Sequence, residues 1–115
     1  MSRGLLDTSV FIAFDSERVV DLDLLPDELA VSAVTIAELQ VGILTAKDAA
    51  TKSKRLKTYR GALQFNPIDV DQHVAESWAM LRVTLREIGR SVSVNDLWIA
   101  ATAVALGVPL VTQDQ

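Results

Sequence analysis

Four carboxylates stand next to short apolar runs, in places where carboxylates often do chemistry. Asp7 and Asp114 each follow a predicted strand, and Glu38 and Asp96 each lie near the start of a predicted helix. Such positions can converge on one edge of a parallel sheet, where two carboxylates about 5 Å apart repel by roughly 3 kcal/mol at an effective dielectric near 20. A cluster of these acids would therefore require a cation.

The residue types predict oxygen ligands for that cation. The sequence has no cysteine and a single histidine, His73. Because His73 stands at a predicted helix start after polar residues, we expect it at the surface and not in a metal site. Carboxylate oxygens suit Mg²⁺ or Mn²⁺ better than Zn²⁺.

Each acid also has a structural interpretation when it is taken alone. The pattern Thr35-x-x-Glu38 fits a helix capping box, and Ser93-x-x-Asp96 is close to one. Asp7 could cap the helix that follows it, and Asp114 could be an ordinary turn residue. The residues by themselves leave both interpretations open for all four acids.

Strands alternate with helices along the chain, which predicts a parallel sheet with helices on its faces. Apolar periodicity predicts strands at 3–6, 29–32 and 67–70 and a last one within 107–112, and helices at 9–14, 34–44, 49–65, 71–88 and 93–106. The predicted fold class is therefore α/β, with a short, mostly parallel sheet flanked by helices on both faces in three layers. Ligands of such sheets bind beyond the carboxyl ends of the strands, where Asp7 and Asp114 fall.

The composition predicts one domain over residues 1–115, long enough to bury a sizeable core. The longest apolar tract, 97–111, is interrupted by Thr102, Gly107 and Pro109, so no membrane span is predicted. The absence of cysteine and of a signal-peptide pattern leads us to expect a cytoplasmic protein.

Positive charge is concentrated in one part of a chain whose net charge is −4. An acidic balance argues against a nucleic-acid partner, but nine of the 11 cations lie between Lys47 and Arg90. Two groups are candidates to contact phosphates, and for both the alternative is a solvated helix face. They are the run 52–60 and the helically spaced Arg82, Arg86 and Arg90.

Four segments resemble the signatures of PIN-domain nucleases. They are residues 5–9 (LLDTS), 35–39 (TIAEL), 94–103 (VNDLWIAATA) and 110–114 (LVTQD). The resemblance covers nearly the whole chain, and the order and placement of the segments make it specific. Within that family the match is closest to the VapC toxins of bacterial type II toxin–antitoxin modules.

The resemblance implies a role for each acid. Asp7, Glu38 and Asp96 match the core acids of the family's divalent-metal site, and Asp114 matches the fourth. Family members often continue with a further acid and an aromatic residue, which leaves two alternatives open: a C-terminal tail follows Gln115, or the protein ends early. The fourth acid is accordingly Asp114 or a residue beyond Gln115. Ser9 and Thr112 match supporting polar positions of the family, and Thr8 and Asn95 are further candidates to orient the carboxylates.

The resemblance further implies an activity and partners. The expected activity is hydrolysis of RNA phosphodiester bonds, in transfer or ribosomal RNA, by a water that Mg²⁺ or Mn²⁺ activates. The expected partners are a VapB-like antitoxin, the RNA substrate and a second copy of the chain in a homodimer. The candidates to line a groove for the antitoxin are Phe11, Phe14, Val41 and Leu44.

Two alternatives belong to other functional classes. A catalytically silent PIN-like domain would keep the fold as a protein-binding module, although all four acid positions are filled. A phosphatase or phosphoacceptor domain would also place an aspartate after its first strand. The dehalogenase-type pattern requires a second aspartate two residues later, where this chain has Ser9.

Overall fold

The structure is a computed structural model that describes residues 2–16, 18 and 20–113. In chain order its elements are β1 (Arg3–Leu6), α1 (Thr8–Asp15), a 3-10 turn (Leu22–Leu24), β2 (Glu28–Val31), α2 (Ala33–Leu44), α3 (Ala49–Leu63), α4 (Gln72–Glu87), α5 (Val94–Leu106) and β3 (Leu110–Val111). In this part of the chain no helix combines the length and the apolar character needed to cross a membrane.

The three strands form a parallel sheet in the order β2-β1-β3, with β1 in the centre. Successive side chains of a strand point to opposite faces. Leu6 accordingly packs in a cluster with residues of α1 and α2, whereas Leu5 packs against Ile99 of α5. Helices therefore cover both faces, which confirms the predicted α/β class and its three layers.

Helix α4 lies at the periphery and packs mainly on α5. The rings of Trp78 on α4 and Trp98 on α5 are stacked, with centroids 4.9 Å apart and an interplanar angle of 20°. Val74 is buried, and Leu81 and Leu85 are half-buried on the same side of α4. The predicted amphipathic stripe is thus the contact face of this helix.

The predicted strand at 67–70 is wrong. Ile68 makes a single parallel bridge with Ser32, in which its backbone N–H donates to Val31 and its carbonyl accepts from Ala33. Pro67 has no N–H to donate, and a hydrogen bond from the N–H of Asp71 to the carbonyl of Asp69 turns the chain toward α4. The pairing therefore ends after one residue.

Short polar side chains begin all five helices of the described part of the chain. The side chains of Ser32, Asp48, Asp71 and Ser93 accept backbone N–H groups at the starts of α2, α3, α4 and α5. The hydrogen bond from the backbone of Thr51 holds the pKa of exposed Asp48 below its usual value. These caps explain why helix starts were predicted to within a residue or two.

Candidate functional site

Asp7 lies at the carboxyl edge of the sheet, directly after the central strand. Its backbone N–H donates to the carbonyl of Val111 at 2.8 Å, which ties it to β3. Its carboxylate accepts the N–H of Ser9 at 3.2 Å and so caps α1. Asp7 is only 7% exposed. A carboxylate has about four acceptor sites, so the cap leaves most of its capacity for another ligand.

Glu38 lies on α2, and its carboxylate accepts a hydrogen bond from Thr8, the first residue of α1. The Thr8 hydroxyl donates to Glu38 Oε1 at 2.6 Å, and the hydroxyls of Thr8 and Thr35 are 2.9 Å apart. Residues 8, 35 and 38 are therefore linked in one hydrogen-bond chain, immediately beside Asp7. This chain joins α1 to α2 at the edge where we expected the acids.

The capping-box interpretation of Thr35 and Glu38, one of the two that the sequence left open, is wrong, because α2 begins earlier and Ser32 is its N-cap. The sequence reasoning therefore missed the part that Thr35 plays in the site. A signal was available in the spacing: residues three apart on a helix share a face, which places Thr35 next to Glu38.

Ser9 and Thr112 lie together at the same edge. Their hydroxyl oxygens are 3.1 Å apart, and the backbone N–H of Gln113 donates to Ser9 Oγ at 2.9 Å. These contacts attach the segment after β3 to the first turn of α1. Asp114, the predicted fourth acid, lies outside the described residues.

Asp96 stands in the first turn of α5, and its side chain is exposed. The N-cap Ser93 accepts the backbone N–H of Asp96 at 3.2 Å, as the capping pattern predicts. Ile99, one turn further along the helix, packs against Leu5 of β1. Asn95 is also exposed. The start of α5 is thereby anchored to the central strand by its apolar face, with its acid free to face solvent.

The three predicted acids that the structure describes fit a hard divalent cation in type but are not gathered around one point. Asp7, Glu38 and Asp96 offer only oxygen, as Mg²⁺ and Mn²⁺ prefer. Within 2–16, 18 and 20–113, no three acidic or histidine side chains are close enough to hold one ion. His73 is exposed at the start of α4, as predicted. The metal-ligand set remains a prediction, with Asp114 outside the described range.

A groove of about 390 Å³ opens beside Glu38, between α1 and α2. Its lining comprises Thr8, Ile12, Asp15, Ser16, Glu38, Leu39, Val41, Gly42, Thr45 and Arg55. Of the four groove residues expected from sequence, Val41 is present. Phe11 is buried in the core edge-on to Phe65, and its place is taken by Ile12. Phe14 and Leu44 are exposed but do not line the groove.

Polar contacts from α3 close the other end of this groove. Arg55 Nη1 donates to the carbonyl of Gly42 at 2.6 Å, and its Nε lies 4.0 Å from Asp15 Oδ2. The Thr58 hydroxyl donates to Asp15 Oδ1 at 2.5 Å. These bonds connect the ends of α1 and α2 to α3, and they place the charged groups of Asp15 and Arg55 at the far end of the groove.

The predicted basic groups lie on α3 and α4. Arg82 and Arg86 are exposed on α4, and Arg90 is exposed just past the end of that helix. Lys52, Lys57 and Arg60 are exposed on α3.

Comparison with known proteins places this geometry in a family. The PIN domain pattern matches residues 4–115. The chain is 47% identical to Ribonuclease VapC5 of Mycobacterium tuberculosis over 113 residues, 98% of the chain and 84% of that protein. It is 44% identical to Ribonuclease VapC4 of the same organism, over 97% of the chain and 86% of the relative.

Solved structures agree with the sequence matches. The crystal structure of VapBC-5 from M. tuberculosis, a member of the VapBC family of toxin–antitoxin systems, superimposes with a TM-score of 0.91 at 43% identity, covering 100% of this chain and 87% of that one. The crystal structure of VapBC2 from Rickettsia felis, bound to a DNA fragment from their promoter, superimposes with a TM-score of 0.83 at 26% identity. The match covers 97% of this chain and 87% of that one.

Proposed function

Since the chain belongs to the PIN-domain family and, within it, to the VapC ribonucleases, we propose that it is the toxin of a VapBC-type pair and cleaves RNA with Mg²⁺ or Mn²⁺. The observation that carries this proposal is the buried Asp7 at the carboxyl edge, with the Thr8–Glu38 hydrogen bond beside it. This is the edge at which ligands of parallel sheets bind.

The proposed ligands of the cation are Asp7, Glu38, Asp96 and Asp114. When bound, a divalent cation supplies a Lewis acid that polarises the phosphodiester and activates water. The chain's own residues orient the donors. Thr8 holds one oxygen of Glu38, and the backbone of Ser9 holds one oxygen of Asp7. Thr112 and Ser9 hold the segment after β3 against α1.

Cleavage of a mixed pool of transfer and ribosomal RNA tests the proposed function. Purified protein, free of antitoxin, is incubated with Mg²⁺ or Mn²⁺ and, separately, with excess EDTA. We expect discrete fragments that carry a 5′-phosphate and appear only with the metal. A folded protein that cuts no RNA with either metal would contradict the proposal and favour a silent protein-binding module.

Arg82, Arg86 and Arg90 are proposed to bind RNA phosphates. Replacing all three by glutamine removes three positive charges, so the slope of log K against log salt for single-stranded RNA should become shallower by about 2. The measurement is RNA binding at several salt concentrations. Arg3→Gln serves as the control, because Arg3 pairs with Glu28 at the opposite, amino edge of the sheet. A triple variant with the wild-type slope would contradict this role.

The groove between α1 and α2 is proposed to receive the antitoxin. Ile12 and Val41 are about half exposed in it, and Leu39 forms its floor, which suits an apolar helix face. Glu38 puts negative charge at one end of the groove, which suits a basic side chain of the partner, whereas Asp15 at the other end already lies beside Arg55.

Val41→Asp should weaken antitoxin binding by about a hundredfold, since the contact would bury a carboxylate without a partner. The measurement is the dissociation constant of the purified toxin–antitoxin pair. Val104→Asp on α5 is the matched control, because Val104 has nearly the same exposure, 54% against 59%, and lies outside the groove. Equal affinities of the two variants would argue against this docking site.

We further propose that the protein acts in the cytoplasm, where its RNA substrates are, and that it forms a homodimer. Light scattering of the purified toxin, with and without antitoxin, tests the oligomeric state.

A further inference from the structure

We propose that Thr35 is a positioning residue that fixes the Glu38 carboxylate through the hydroxyl of Thr8. This inference rests on the proposed function, because it concerns the same edge of the sheet. Thr35 is fully buried, and within the described residues the one hydrogen-bond partner of its hydroxyl is Thr8, at 2.9 Å. Thr8 in turn lies 2.6 Å from Glu38 Oε1.

The direction of these hydrogen bonds follows from the number of protons. A threonine hydroxyl has one proton to donate, and a carboxylate oxygen can only accept. Thr8 donates to Glu38, so its oxygen must accept from Thr35. Each hydroxyl proton in this series of hydrogen bonds thus has one acceptor, and the series ends on a single carboxylate oxygen, Oε1 of Glu38. Glu38 is thereby held in one orientation.

The hydroxyl of Thr35 bonds to a residue of another helix, unlike the hydroxyls of Thr84 and Thr102. Thr84 and Thr102 both donate to the carbonyl four residues earlier in their own helix, which is a common arrangement for helical threonines. Thr35 instead reaches across to α1. It does not begin α2 either, since Ser32 is the cap. Valine would fill the same volume without a buried hydroxyl to satisfy, so helix formation and packing give no reason for a threonine here.

Thr35→Val removes the hydroxyl and keeps the shape. We expect kcat for RNA cleavage to fall by about 10- to 100-fold with KM unchanged, as for groups that orient metal ligands. Thr102→Val is the matched control, because Thr102 is equally buried and its hydroxyl bonds only within α5. The proposal is overturned if Thr35→Val retains wild-type kcat, or if Thr102→Val loses as much.

Two more variants keep the test decisive if valine disturbs the fold. Thr35→Ala and Thr35→Ser both remove the methyl group and differ only in the hydroxyl. We expect Thr35→Ser to cleave RNA at close to the wild-type rate and Thr35→Ala to match the loss in Thr35→Val. Equal rates for the serine and alanine variants would show that the hydroxyl has no positioning role.

A measurement without metal or RNA separates this inference from the proposed function. The carboxyl carbon resonance of Glu38 in metal-free protein reports its hydrogen bonding. We expect Thr35→Val to shift this resonance and Thr102→Val to leave it in place. If the wild-type protein cuts no RNA, the proposed function fails, yet this comparison still decides the role of Thr35. An unshifted Glu38 resonance in Thr35→Val overturns it.

Discussion

Asp7→Asn should reduce RNA cleavage by about a thousandfold while leaving the fold unchanged. Asparagine caps helices as well as aspartate does, so the start of α1 is preserved. What is lost is the negative charge of a buried carboxylate at the carboxyl edge, and removal of one charge-stabilising group from an active site costs about 10²- to 10³-fold or more. The measurements are the cleavage rate with Mn²⁺ and the melting temperature.

The matched control is Asp71→Asn. Asp71 caps α4 by accepting the N–H of Val74, just as Asp7 caps α1, but it is exposed and is not one of the predicted acids. We expect this variant to cleave RNA normally. If the Asp7→Asn protein retained more than a tenth of the wild-type cleavage rate, Asp7 would not be a residue of the active site.

Leu5→Ala should lower the free energy of unfolding by about 3 kcal/mol and the melting temperature by about 10 °C. Leu5 is fully buried on the central strand, where it packs against Ile99 and Ala103 of α5. Alanine would leave a cavity between the sheet and α5 that the rigid strand cannot close. Denaturant unfolding followed by circular dichroism measures the change.

Leu24→Ala is the control for that substitution. Leu24 is 79% exposed in the 3-10 turn, so its truncation should change the free energy of unfolding by less than about 0.5 kcal/mol. Similar effects at the two leucines would mean that the α5 face of the sheet is not a packed layer.

The fold was largely predictable because local signals and burial agree along most of the chain. Leu5 and Leu6 are consecutive apolar residues that serve opposite faces, which is typical of a central parallel strand. Caps such as Asp71 and Ser93 mark helix starts directly in the sequence. The resemblance to the family then supplied the activity, which periodicity alone does not contain.

The errors came where tertiary contacts decide the outcome. Phe11 and Ile12 are adjacent and both apolar, and only packing against Phe65 determines that the first is core and the second faces the groove. A cap at Thr35 was one of the interpretations left open because a cap is a local pattern, whereas the hydrogen-bond partner of the Thr35 hydroxyl, Thr8, lies 27 residues away. The roles of Asp96 and Asp114 as metal ligands remain predictions from the resemblance.

The central position of β1 has a consequence for synthesis on the ribosome. The segment that completes the edge around Ser9 follows it by 104 residues, at Gln113. At 5–20 residues per second, about 5 to 20 s separate the translation of the two. A growing chain therefore carries its first acid for many seconds without β3. Throughout that interval β1 has no β3 beside it and Ser9 lacks its contact with Gln113, so this edge of the sheet is completed only at the end of synthesis.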